Sequence, residues 1–122
     1  ESACAELAAA EGVDISGIQN TYVEAKEALR KGDYARYAGL NRDFHSEIWE
    51  AAGNTKMANM IAELWNGLSM GNMVTEEEYA KISIEEHGQI MEAIEQRDGV
   101  RARQEMYAHI MRSRDDMLTY YQ

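Results

Sequence analysis

Apolar residues recur along this chain at intervals of three and four, and glycines with polar neighbours cut the pattern into segments. That spacing fits a helix of about 3.6 residues per turn buried along one face. The first segment runs Glu1–Glu11, with Ala3, Leu7 and Ala8, and Gly12 ends it. Asp14 or Ser16 then caps a second helix carrying Ile18, Tyr22, Ala25 and Leu29. It stops at Lys31-Gly32, because basic residues followed by glycine form a C-terminal signal. Asp33 caps a third helix that runs to about Ala52 and closes at Gly53-Asn54. Thr55 caps a fourth, with Met57, Met60, Ile61, Leu64 and Leu68 on one stripe that fades near Gly71-Asn72. Thr75 with Glu78 three residues on is a capping box opening a fifth helix, which runs to about Arg97. Asp98-Gly99 turns into a sixth that reaches the C-terminus. No stretch alternates with period two over a useful length, so no sheet is expected. Six helices with short connections predict an all-α antiparallel bundle, a single domain over residues 1–122.

Composition narrows the class. A chain of 122 residues with 45% hydrophobic content can bury one core, which excludes a disordered acidic tail. The absence of proline lets long helices run unbroken. One cysteine, Cys4, excludes an internal disulfide and points to a reducing, cytoplasmic setting. No apolar run approaches the 18 or so residues of a membrane span, and no signal peptide is visible, so no membrane partner is expected. Twenty-two acidic residues against twelve basic ones give a net charge of -10, which by itself repels DNA. The chain opens on Glu1, already inside a helical pattern, and so reads as a portion of a longer protein.

The chemistry lies in the histidines. On the third helix the apolar face runs Tyr37, Leu40, Phe44, Ile48, with Asn41 and His45 one turn apart on its flank. His87 falls inside the stripe Ile84, Met91, Ile94 of the fifth helix. His109 lies beside Met106 on the sixth, along a face with Ile110, Met117 and Ser113. All three histidines therefore face the interior, from three different helices. One buried histidine is ordinarily a hydrogen-bonded core residue. Three unpartnered ones cost on the order of a few kcal/mol each, and a shared metal would satisfy them together. Spacing alone leaves two readings open: a structural helical module with packed histidines, and a bundle holding a divalent ion. A three-histidine ion with open positions also suits hydrolysis. That reading needs a placed general base, and none is evident on these inward faces, so no enzyme is expected. Asn66, Ser69 and Ser113 lie near inward faces as candidate contacts for a small ligand. Arg112 and Arg103 offer forks that fit a carboxylate, with surface ion pairing as their plainer use. Trp49, Trp65 and the methionines read as core.

The stretch Leu40-Asn41-Arg42-Asp43-Phe44-His45, followed by Glu50-Ala51-Ala52-Gly53-Asn54, resembles the FCD domain of FadR-type GntR regulators. So does Glu86-His87 with Ile90, Ala93-Ile94 and Asp98, and then Ala102, Met106 and His109-Ile110. The similarity runs over nearly the whole chain. It implies an effector-binding and dimerisation domain of a bacterial transcription regulator, a homodimer that meets DNA only through a winged helix-turn-helix absent from this chain. It also implies a divalent metal held by Asn41, His45, His87 and His109, and a small carboxylate effector bound at that metal. Imidazole suits zinc first, and the amide oxygen keeps nickel and manganese in view. Asn41 stands where the family commonly has Asp. Asp43 cannot replace it, since a two-residue offset turns it about 200° around the helix. Four neutral ligands leave the charge of the ion uncompensated in an apolar bundle, which calls for an anionic partner.

Overall fold

A computed structural model describes the backbone of residues 1–67 and 77–120. Among these residues there are six helices and no strand: α1 (Ser2–Ala8), α2 (Ser16–Arg30), α3 (Tyr34–Ala51), α4 (Thr55–Gly67), α5 (Glu77–Glu95) and α6 (Gly99–Tyr120). The all-α architecture expected from the apolar period is present. The capping box at Thr75, and Leu68, Gly71 and Asn72, lie outside the described residues.

Turn chemistry explains where the helices stop. After α2, Gly32 sits at φ 74°. There the Asp33 amide donates to the Ala28 carbonyl at 2.9 Å and the Gly32 amide to the Leu29 carbonyl at 3.0 Å. This closure needs a left-handed residue, a conformation glycine adopts without steric cost. Asp33 Oδ1 then accepts from the Arg36 amide at 3.1 Å and starts α3. The α5–α6 corner repeats the device with an arginine in glycine's place. Arg97 sits at φ 57°, the Asp98 amide donates to the Ala93 carbonyl at 2.9 Å, and Asp98 Oδ1 accepts from the Arg101 amide at 3.1 Å. A left-handed arginine is strained by roughly 1–2 kcal/mol. Its Nη1 donates to the Ala10 carbonyl at 2.9 Å, which ties this corner to the chain just past α1.

Three boundary details differ from expectation. The first helix ends at Ala8, not Glu11. Asn54, not Thr55, caps α4: its Oδ1 accepts from the Met57 amide at 3.0 Å, and Thr55 is already helical. Ile15, not Asp14 or Ser16, holds the N-cap position of α2 and offers no side-chain cap; Ser16 is already helical, and Asp14 accepts from its amide and hydroxyl at 3.0 and 2.7 Å.

Small side chains let α1 sit deep. Cys4, Ala5, Ala8 and Ala9 are buried, and the helix packs against α6, α3 and α5. The main core adds Ile18, Phe44, Ile48, Trp49, Ile90, Met91, Ile94, Ala102 and Met106, and a smaller cluster joins Tyr37 to Ala25, Ala28 and Ala80. Each large apolar side chain so buried contributes about 1.5–3 kcal/mol. α4 rests mainly on α3, with Met57 and Ile61 against the core. Met60 and Leu64 on the same stripe are 59% and 64% exposed, so that stripe is wider than the surface α3 covers. Among the described residues no helix is long and apolar enough to cross a membrane.

Candidate metal centre

α3 places Asn41 and His45 one turn apart, α5 carries His87 and α6 carries His109, and all four are buried. The three imidazoles meet through the same atom. Nε2 of His45 is 3.2 Å from Nε2 of His87, which is 3.2 Å from Nε2 of His109, and the triangle closes at 3.3 Å. Phe44 stacks on the His87 ring at 4.3 Å between centroids and fixes its plane.

The outer nitrogens decide what the inner ones present. His45 Nδ1 lies 2.7 Å from Glu1 Oε1, which also accepts from the Trp49 indole N–H at 3.0 Å. His109 Nδ1 lies 2.7 Å from Glu86 Oε1. Arg112 Nε holds both oxygens of Glu86, at 2.7 and 2.8 Å, and its Nη1 pairs with Asp116. A carboxylate oxygen accepts, so Nδ1 of His45 and of His109 donates; a ring with its single proton there presents its lone pair inward at Nε2. Those two lone pairs face each other at 3.3 Å. His87 has one proton to offer. On Nε2 it serves one neighbour well and leaves the other; on Nδ1 it is buried with no partner among the described residues, and three lone pairs converge.

Burial drives the His87 value well below the ordinary imidazole range, helped by His45, His109 and the charge of Arg112. Burial also lowers His109, against its bond to Glu86. For Glu86 burial pushes upward, but hydrogen bonds and charge from His109 and Arg112 outweigh it and hold the carboxyl below its usual range. His87 and His109 stay neutral and Glu86 stays ionised at neutral pH, as metal ligation requires.

The residues fit a divalent ion. Nitrogens about 2.0–2.1 Å from a tetrahedral ion stand about 3.3 Å apart; the triangle here has edges of 3.2, 3.2 and 3.3 Å. Asn41 Oδ1 is buried with no hydrogen-bond partner among the described residues, one turn from His45, and is an available fourth donor.

Glu1 and Glu86 are not visible from single inward faces: neither shares a helix face with the histidine it meets, and Glu86 reaches His109 through the register between α5 and α6. The Glu86-His87 adjacency was the available signal. Ser113 is buried beneath His109 and accepts from the Tyr79 hydroxyl at 3.3 Å. Arg112 belongs to the Glu86 network, while Arg103 pairs with Glu6 at the surface at 2.9 Å. The Asn66 and Trp65 side chains and Ser69 lie outside the described residues.

Fold and site together define an all-α sensing domain built around a metal-competent histidine cluster. The FCD domain family matches residues 1–112, and the chain belongs to it: this is the effector-sensing domain of a GntR-type transcription regulator. Comparison with curated proteins and with solved structures gives no match.

Proposed function

We propose that Asn41, His45, His87 and His109 hold a divalent ion, zinc in the first place, and that a small organic acid binds there as effector. One observation carries this reading: two carboxylates accept from Nδ1 of His45 and His109, and the two Nε2 atoms, the ligand atoms of neutral rings, converge at 3.3 Å. A cation between them turns that convergence into ligation. When bound, the ion supplies a buried positive charge with positions left for a carboxylate. Glu1 and Glu86 orient the imidazoles and raise their basicity; both being engaged in this way, neither stands as a general base. Arg112 and Ser113, three and four residues beyond His109, contribute to the effector's surroundings. Effector occupancy then alters a homodimer and the hold of its DNA-binding domain on operator DNA.

The test is metal analysis of the purified chain, then calorimetric titration of acetate into zinc-loaded and chelator-treated protein. About one ion per chain, and acetate binding that vanishes on chelation, are expected. Acetate binding equally to the metal-stripped chain would leave the ion a structural role only.

A further inference from the structure

The histidine triangle has two unlike sides. One turn away in one direction lie Trp49 on α3, Met91 on α5 and Met106 on α6, all within the apolar core. One turn away in the other lie Asn41 on α3, Ser83 on α5 and Ser113 on α6, at 4%, 1% and 5% exposure. A turn further on, the Tyr37 hydroxyl is buried with Ser83 as its polar neighbour and makes no well-formed hydrogen bond among the described residues. Such a layer inside an apolar bundle is costly unless something meets it.

Little among the described residues does so. Tyr37 Oη, Asn41 Oδ1 and Arg112 Nη2 have no hydrogen-bond partner among the described residues. Ser83 Oγ lies 3.4 Å from His87 Nε2, and Ser113 Oγ accepts from the Tyr79 hydroxyl at a long 3.3 Å. The layer is rich in hydroxyls, each able to donate and accept. It is poor in free charge. No lysine or arginine is buried among the described residues, and Arg112 is already neutralised by Glu86 and Asp116.

We infer that the acid taken at this site is a hydroxylated monocarboxylate, its hydroxyls met by Tyr37, Ser83 and Ser113, and not a dicarboxylate. The inference rests on the reading of a carboxylate-binding ion. The ion satisfies one carboxylate. A second carboxylate in the hydroxyl layer would be desolvated without a free cation, since Arg112 is outnumbered by Glu86 and Asp116 and that group carries net negative charge. Ligand hydroxyls instead find partners of matching chemistry there, and Arg112 Nη2 donates to one of their oxygens.

The zinc-loaded chain is titrated calorimetrically with acetate, glutarate, D-glycerate and L-threonate. At least one hydroxylated acid is expected to bind about tenfold more tightly than acetate, equivalent to roughly one hydrogen bond in its favour. Glutarate is expected to gain nothing over acetate. Tyr37→Phe removes a hydroxyl that makes no well-formed hydrogen bond among the described residues, so its melting temperature should hold or rise. It should nonetheless lose about five- to tenfold in affinity for the hydroxylated acid, with acetate unchanged. Glutarate binding best, or Tyr37→Phe binding the hydroxylated acids as wild type does, overturns the inference while acetate binding keeps the carboxylate site standing. Failure of every acid, acetate included, overturns the carboxylate site and this inference with it.

Discussion

If a cation relieves the opposed lone pairs of the histidine triangle, its removal must register in stability. Free zinc at a hundredfold excess over its dissociation constant adds about 2.7 kcal/mol to the native state. With an unfolding entropy of about 2.1 cal/mol/K per residue, a chain of 122 residues carries about 0.26 kcal/mol/K. The melting temperature should therefore rise by about 10 °C over chelator-treated protein. His87→Ala supplies the control. Its ring is fully buried against Phe44, so the variant loses about 1–3 kcal/mol even without metal. The quantity compared is thus the zinc-induced shift within each protein, which should nearly vanish in the variant. Acidity gives a second handle. His87 and His109 have folded values below the ordinary 6.5. Their contribution is present above about pH 6.5 and is lost as pH falls through the folded values, because the unfolded chain then binds more protons. The zinc shift should shrink in the same range, since ligation needs unprotonated rings. Thermal melts followed by circular dichroism at pH 7.5 and 5.5, with zinc or chelator, measure all of this. Equal melting temperatures with and without zinc at pH 7.5, or a wild-type shift retained in His87→Ala, would refute the reasoning.

Two further outcomes follow from the groups around the triangle. Glu86→Gln removes the carboxylate that orients His109 and should weaken zinc binding by about 10–100-fold while the helical spectrum persists, as competition with a chelating dye would measure. Burial raises the Tyr37 hydroxyl to about 12, so its contribution is present below pH 10 and lost as pH rises toward 12. Between pH 10 and 11 wild type should lose about 1 kcal/mol more than Tyr37→Phe in urea unfolding, and parallel losses would contradict this.

The helices and the three histidines were legible in the sequence because both depend on spacing within one helix. Phe44, His45 and Ile48 share a face by periodicity alone, and Gly32 and Gly53 mark stops that only a left-handed residue permits. Features set by contacts between helices were not legible. No local sign distinguishes Arg97, which takes the left-handed position that glycine takes at the α2–α3 corner and is held by a carbonyl beyond α1. Met60 and Leu64 read as core, because a stripe of apolar residues does not say how much of itself a neighbour covers. Glu1 and Glu86 find their histidines only once α1 has packed on α3 and α5 on α6.

Those two carboxylates also bear on how the centre can matter to the rest of the molecule. His45, His87 and His109 join α3, α5 and α6 at one point, and Glu1 brings in the start of α1 through His45 and Trp49. On the opposite flank, Glu86, Arg112 and Asp116 continue from His109 along α6. The apolar side of the triangle is close-packed and has little freedom to adjust. The polar side holds donors and acceptors without hydrogen-bond partners among the described residues. An ion or acid bound at the centre would therefore act on the polar side, where Tyr37, Asn41 and Arg112 can gain hydrogen bonds, while Trp49, Met91 and Met106 pack on the other side. A sensing domain needs that division: a rigid half that preserves the fold in both states, and an under-satisfied half whose free energy changes when the effector arrives.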